Sequence, residues 1–259
     1  MIELVSPCYW RRRPSPNSLT VVTFRDRLLA TLRSAQPVLD VPGVLVVGSE
    51  VPNLLEHDAA ASLVVSEDVD VAIPISAHRE VRERLQHLDR LKPSADEPSV
   101  WVPKGDDCIE LNFVGMDPAL KSVREAYVLE DERLPLMVFG GLSLLRPGRI
   151  ILADGVRVPV PAIAGLLVEK LATDRSGVKG DRDLLMTLGL LSEANDADLD
   201  EVARLFQTLP CEVRETVLSG LSVLSLLEPV EGMPDPRVGR PMVSLLLETL
   251  ANKELPSDG

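Results

Sequence analysis

The sequence predicts an α+β fold: a mixed sheet with flanking helices in residues 1–160, followed by an all-helical domain over residues 161–259. Two patterns carry that expectation. Between residues 44 and 159 the apolar residues gather in short, β-branched runs separated by Gly, Pro and Asp turns, whereas from Pro161 onward they recur at helical spacing. The length of 259 residues accommodates one large domain or two modest ones, and the change of period at residue 160 favours two. Aromatic residues make up only 3%, so aliphatic side chains must fill the core.

Residues 18–35 place Leu19, Val22, Leu28, Leu29 and Leu32 among Arg and Thr, the pattern of an amphipathic helix. A turn is expected around residues 37–43. Residues 44–47 form a continuous aliphatic strand that stops at Gly48-Ser49, and residues 52–56 open on Pro52 as a short helix. A second strand covers residues 63–73, where Asp68, Val69, Asp70, Val71 and Ile73 alternate before Pro74. A helix over 78–91 and a loop over 92–98 follow. Strands at 100–102 and 108–113 are then joined by Lys104-Gly105-Asp106-Asp107. Further strands are expected at 143–146, 149–153 and 156–159, broken at Pro147-Gly148 and Asp154-Gly155. Helices are expected over 161–173, 181–191, 198–208, 211–226 and 241–252, with a Pro- and Gly-rich linker from 229 to 241 before the last.

The formal net charge of −13 opposes sequence-independent binding to a phosphate backbone, which depends on Lys and Arg displacing counterions. Any nucleic-acid partner must therefore meet a local basic patch. Arg11-Arg12-Arg13 is basic, but no apolar segment long enough for a signal peptide or membrane span follows it. No membrane partner is expected, and a soluble, cytoplasmic protein is. Cys8, Cys108 and Cys211 are odd in number and widely spaced, so neither a disulfide framework nor a zinc knuckle is indicated. His57, His78 and His87 lack the spacing of a helical metal site, so chemistry must rest on carboxylates.

Alternation along the second strand projects Asp68 and Asp70 from one face and Val69, Val71 and Ile73 from the other, and the apolar set claims the core. Two like charges at neighbouring same-face positions repel unless a cation neutralises them, which points to a divalent metal. Mg²⁺ fits, with Mn²⁺ as substitute, because it prefers oxygen ligands and is usually shared with substrate phosphates. On the later strand Ile109, Leu111 and Phe113 face one way while Glu110 and Asn112 face the other, making Glu110 a candidate third metal ligand. Gly48 lets backbone N–H groups approach a phosphate, and Ser49 adds a hydroxyl at a helix N-terminus. An acid-x-acid strand face is also what a solvated edge presents, and a Gly-Ser turn is common punctuation. It is their ordered conjunction with Ser66 and Glu110 that points to a cradle for triphosphate and metal.

In the helical half, Ile163, Leu166 and Leu167 define an apolar stripe on which Lys170 also falls. Either its stem snorkels to water, or the stripe ends at a cleft where the ammonium meets a triphosphate. Residues 174–184 then concentrate charge around two glycines, with Arg175, Lys179 and Asp183 as candidates. Asp181 reads equally well as a helix-capping acid.

Together these residues resemble the polymerase-β-type nucleotidyltransferase superfamily, and within it the minimal nucleotidyltransferases related to abortive-infection (AbiE-like) toxins. The likeness covers roughly residues 44–192 and rests on Gly48-Ser49, Asp68-x-Asp70, Glu110, Lys170-Leu171, Arg175, Lys179 and Asp183-Leu184. The resemblance implies a nucleotidyltransferase-like sheet and a helical domain that closes the active-site cleft. It also implies Mg²⁺-dependent transfer of a nucleoside monophosphate from a nucleoside triphosphate such as ATP to tRNA, other RNA or a protein acceptor. Asp68, Asp70, Glu110, Lys170 and Asp183 would be catalytic, with Gly48, Ser49, Ser66, Arg175 and Lys179 holding the nucleotide. A toxin of this kind would have an antitoxin protein as partner. The alternatives are a catalytically impaired binding or regulatory protein of the same fold, and a Mg²⁺-dependent phosphohydrolase.

Overall fold

The computed structural model describes residues 23–55, 68–173, 178–229 and 235–252. Among these, seven strands build the main sheet: β1 (Leu45–Val47), β2 (Asp68–Pro74), β3 (Leu91–Pro93), β4 (Val100–Pro103), β5 (Glu110–Met116), β6 (Ala126–Leu129) and β7 (Leu136–Phe139). The order β1-β2-β5-β4-β3 places β2 and β5 side by side and parallel, with β1 and β4 antiparallel on either side of them. Past the end of β4, β5 meets β7 in parallel at Gly115 and Val138, and β6 pairs antiparallel with β7. The sheet is mixed, as the sequence predicts.

The parallel pair occupies the centre because it can be buried on the apolar face: Val69, Val71, Ile73 and Leu111 are fully buried and Phe113 nearly so. A separate hairpin of β8 (Pro147–Ala153) and β9 (Val156–Pro161) turns at Asp154 and Gly155, both with positive φ, as a two-residue hairpin requires. β9 packs against β1.

Helix α1 (Phe24–Ser34) starts at a capping box, in which the Thr23 side chain accepts from the Asp26 amide and the Asp26 carboxylate accepts from the Thr23 amide. Short helices α2 (Gln36–Leu39), α3 (Glu50–Leu55) and α4 (His78–Arg84) complete the amino half. Arg82 of α4 forms an ion pair with Asp131, tying the helix to the loop between β6 and β7.

The carboxyl half consists of α5 (Ile163–Ala172), α6 (Val178–Glu193), α7 (Asp196–Thr208), α8 (Cys211–Leu226) and α9 (Arg240–Asn252). α5 is its hub, packed against α6, α7 and α8, and nine of its ten residues are buried, which leaves no solvated face. Buried aliphatic side chains from Leu28 to Leu250 join in one continuous core across the sheet and helices. No described helix is long and apolar enough to cross a membrane.

Several expectations shift. Residues 36–39 form α2, not an open turn, because Pro37 suits the first turn of a helix. Residues 143–146 are not a strand: residues 140–144 form a 3₁₀ turn packed against α5. Pro147 and Gly148 begin β8 instead of interrupting strands, the missing proline N–H being tolerated at a strand start. The helix expected over 78–91 ends at Arg84 and passes through a 3₁₀ turn at 85–87 into β3, which takes up the expected helix end at Leu91 and the start of the expected loop, and β6 and β7 are absent from the sequence expectation. Their apolar runs lack polar alternation, the signal by which a half-buried strand is read.

Candidate active site

β2 presents its two acids as alternation requires. Asp68 and Asp70 are half-buried on one face, while their neighbours Val69 and Val71 are fully buried on the other. The parallel register sets Asp68 level with Glu110 and Asp70 level with Asn112, so these four side chains share the polar face of adjoining strands. Asn112 links the acids: its Nδ2 donates to Asp68 Oδ2 at 2.9 Å and to Asp70 Oδ1 at 3.4 Å. An amide donor between two carboxylates offsets part of their mutual repulsion. Asn112 Oδ1 is a buried atom with no hydrogen-bond partner among the described residues, so a buried acceptor beside two carboxylates is left for a donor or a cation.

The Gly48-Ser49 turn adjoins this group through strand pairing. Val47 of β1 lies opposite Asp70, which brings the next residue, Gly48, against the Asp70 carboxylate. Gly48 has φ +85, and a Cβ built on it would stand 2.6 Å from Asp70 Oδ2 and 3.3 Å from its Cγ. Backbone conformation and the neighbouring carboxylate thus both exclude a side chain here. Ser49 is half-buried, and the six-residue α3 begins at Glu50, which is only 1% exposed. An acid therefore occupies the N-terminal turn expected to face phosphate, leaving the backbone of the turn and the Ser49 hydroxyl as the groups suited to an anion.

Glu110 is fixed from behind. The Ile109 amide donates to Thr31 Oγ1 at 2.8 Å, and that hydroxyl donates to the Arg27 carbonyl at 2.9 Å, pinning the entry of β5 to α1. Among the described residues no three His, Cys, Asp or Glu side chains converge closely enough to hold a metal by themselves. The structure brings together Asp68, Asp70 and Asn112, with Glu110 level in register but outside a closed three-carboxylate cluster.

Lys170 does not snorkel. Its side chain is 6% exposed, and its Nζ lies 3.3 Å from Oε2 of the equally enclosed Glu169. Thr173 Oγ1 donates to the Glu169 carbonyl at 2.8 Å and lies 3.3 Å from Glu169 Oε1, holding that carboxylate beside the 140–144 turn. That turn packs on β5 as well as on α5, and is the structural link between the pair and the sheet.

Ser66 and Arg175 lie outside the described residues, as do the side chains of Lys179 and Asp183, whose backbone belongs to α6. Sequence reasoning gave no role to Asn112 or Glu169. Strand parity already placed Asn112 on the same face as Glu110, and a carboxylate inside an otherwise apolar helix was the available signal for Glu169. A cleft of about 360 Å³ opens elsewhere, between residues 39–45 and the β8–β9 hairpin, with Asp40, Arg149 and Arg157 in its wall and none of the site acids.

No protein-family model matches the chain, and no curated protein sequence matches it. The solved structures similar to it include two crystal structures from one bacterium. One is a protein from Helicobacter pylori provisionally described as a nucleotidyltransferase, with 14% identity and a TM-score of 0.37 over 92% of this chain and 99% of that one. The other is JHP933 from Helicobacter pylori, with 15% identity and a TM-score of 0.37 over 87% of this chain and 92% of that one. At that distance a shared activity does not follow from likeness, and the chemistry must be read from the residues.

Proposed function

We propose that this protein is a Mg²⁺-dependent nucleotidyltransferase, moving a nucleoside monophosphate from a nucleoside triphosphate to an RNA or protein acceptor. The observation that carries the reading is the Asp68–Asp70 pair on one strand face with the Gly48 backbone packed against the Asp70 carboxylate. Two carboxylates and the Asn112 carbonyl are a hard, all-oxygen donor set, which suits Mg²⁺ or Mn²⁺ completed by phosphate oxygens and water. When bound there, such an ion supplies charge neutralisation at the phosphate.

The chain's own residues do the rest. Asp68 and Asp70 hold the cation, and Asn112 holds both carboxylates in place. Gly48 permits close approach of backbone to phosphate, with the Ser49 hydroxyl beside it. Glu110, level with Asp68, accepts the proton of the acceptor hydroxyl. Lys170 neutralises triphosphate charge, its ammonium held in position by Glu169. Arg175, Lys179 and Asp183 complete the nucleotide site from the helical half. The toxin-like reading, with an antitoxin as partner, belongs to this same proposal.

A binding or regulatory role for the same site is favoured by one observation, the burial of the Lys170 ammonium against Glu169. Calorimetry with Mg²⁺ and each nucleoside triphosphate, followed by incubation of α-labelled nucleotide with cellular RNA and protein, separates the readings. Transfer of label with release of pyrophosphate, lost in Asp70→Asn, is the expected result. Binding without transfer favours the regulatory role, and release of phosphate indicates hydrolysis. Absence of binding for every nucleotide, or transfer that survives Asp70→Asn, overturns the proposal.

A further inference from the structure

β6 is a sheet edge, pairing with β7 alone among the described strands. Natural edges are blunted by Lys, Pro or a bulge, yet β6 reads Ala126-Tyr127-Val128-Leu129 and pairs with β7 without interruption. The face of the hairpin carrying Val128 is apolar and open: Val128 is 45% exposed, Met137 43% and Phe139 44%. Ala126, paired with Phe139, and Val128, paired with Met137, place all four side chains on that one face.

The hydrogen-bond alternation says which backbone groups face outward. The Gly140 amide donates to the Glu125 carbonyl at 2.7 Å, so Glu125 and Gly140 are a hydrogen-bonded pair. By alternation Tyr127 and Leu129 also bond towards β7, while the N–H and C=O groups of Ala126 and Val128 point to the open edge.

We propose that this edge pairs with β6 of a second copy of the chain, antiparallel about a two-fold axis through Tyr127. In that register Ala126 of each copy lies opposite Val128 of the other, and both are positions whose backbone groups already point outward. Two residues beyond each, Arg124 meets Glu130 of the second copy, and both are exposed. The edge is therefore self-complementary in backbone hydrogen bonds, in apolar face and in charge, as an isologous contact requires. Phe139, Ala126, the second copy's Val128 and its Met137 form one continuous apolar row, repeated by symmetry. This inference is independent of the nucleotidyl-transfer reading.

Light scattering on the purified full chain across a concentration series tests it. The mass is expected to approach twice 28.2 kDa as concentration rises. Val128→Lys, at an exposed position and checked by circular dichroism, should give the monomer mass throughout. Arg124→Glu and Glu130→Arg should each weaken association about tenfold by setting like charges opposite one another, and the double exchange should restore it. A wild-type mass that stays monomeric to concentrations on the order of 100 µM overturns the proposal. So does a dimer insensitive to Val128→Lys, or one weakened further by the double exchange.

Discussion

Gly48→Ala isolates the contact on which the site reading depends. Gly48 has φ +85, where an L-residue costs about 1–2 kcal/mol, and the new Cβ would lie 2.6 Å from Asp70 Oδ2, well inside van der Waals contact. Either the carboxylate swings away or the turn opens, so two effects are superposed: lost stability and a displaced ligand. About 2 kcal/mol of lost stability corresponds to a melting temperature lower by about 4–8 °C for a domain of this size. If Asp70 is displaced, Mg²⁺-nucleotide affinity should fall by at least about tenfold, equivalent to 1.4 kcal/mol. The combination with Asp70→Ala separates the two terms, because removing the carboxylate removes the clash and leaves only the backbone cost. The double variant should therefore be more stable than the sum of the single changes requires, by about 1 kcal/mol. Additive stability losses, or unchanged nucleotide binding in Gly48→Ala, would refute the reasoning that Asp70 is held against the turn.

Lys170→Met removes the cation beside a carboxylate only 4% exposed at its side chain, and breaking such a pair from one side costs about 3–5 kcal/mol. The neutral double variant Glu169→Gln with Lys170→Met should recover much of that loss in a denaturant titration, whereas equal losses in both would mean the pair is not coupled. Cysteine labelling supplies a pH-dependent check. Burial pushes the Cys108 thiol above its ordinary value and outweighs the Thr31 hydrogen bond and Arg90, so its reactive thiolate stays scarce up to alkaline pH. Iodoacetamide at pH 8 should modify the exposed Cys211 in the native protein and leave Cys108 unmodified until denaturant is added, as peptide mass spectrometry would read; rapid native labelling of Cys108 would contradict its burial.

Much of this arrangement was legible because strand parity is a local rule. Once residues 68–73 are read as a strand, the fates of Asp68 and Asp70 against Val69 and Val71 follow without knowledge of the fold. What parity could not supply was register. That Asp68 lies level with Glu110, and Asp70 with Asn112, depends on how β2 and β5 slide past one another, a long-range pairing with no trace in either segment. The same limit hid Gly48 against Asp70, since it arises from Val47 pairing opposite Asp70. For Lys170 the limit is different: spacing left a snorkelling stem open, and the structure encloses the side chain instead. Helical spacing located it on an apolar stripe, but α5 is covered on all sides, and the residue beside it became its ion-pair partner. In a helix with a solvated face, adjacent side chains diverge; in an enclosed one they share the few polar partners present.

The helical half is bound to the Gly48 turn by more than chain continuity. α3, which leaves that turn, packs directly on α6, the helix whose first turns contain Lys179 and Asp183, while α5 reaches the sheet through residues 140–144. A displacement of α6 would therefore press on α3, which leaves the Gly48 turn beside the Asp70 carboxylate. If nucleotide binds, as proposed, at the Gly48 turn and the start of α6, it would stabilise one placement of both elements together. For that reason substitutions at the α3–α6 contact are expected to alter nucleotide affinity, as calorimetry against the wild type would read.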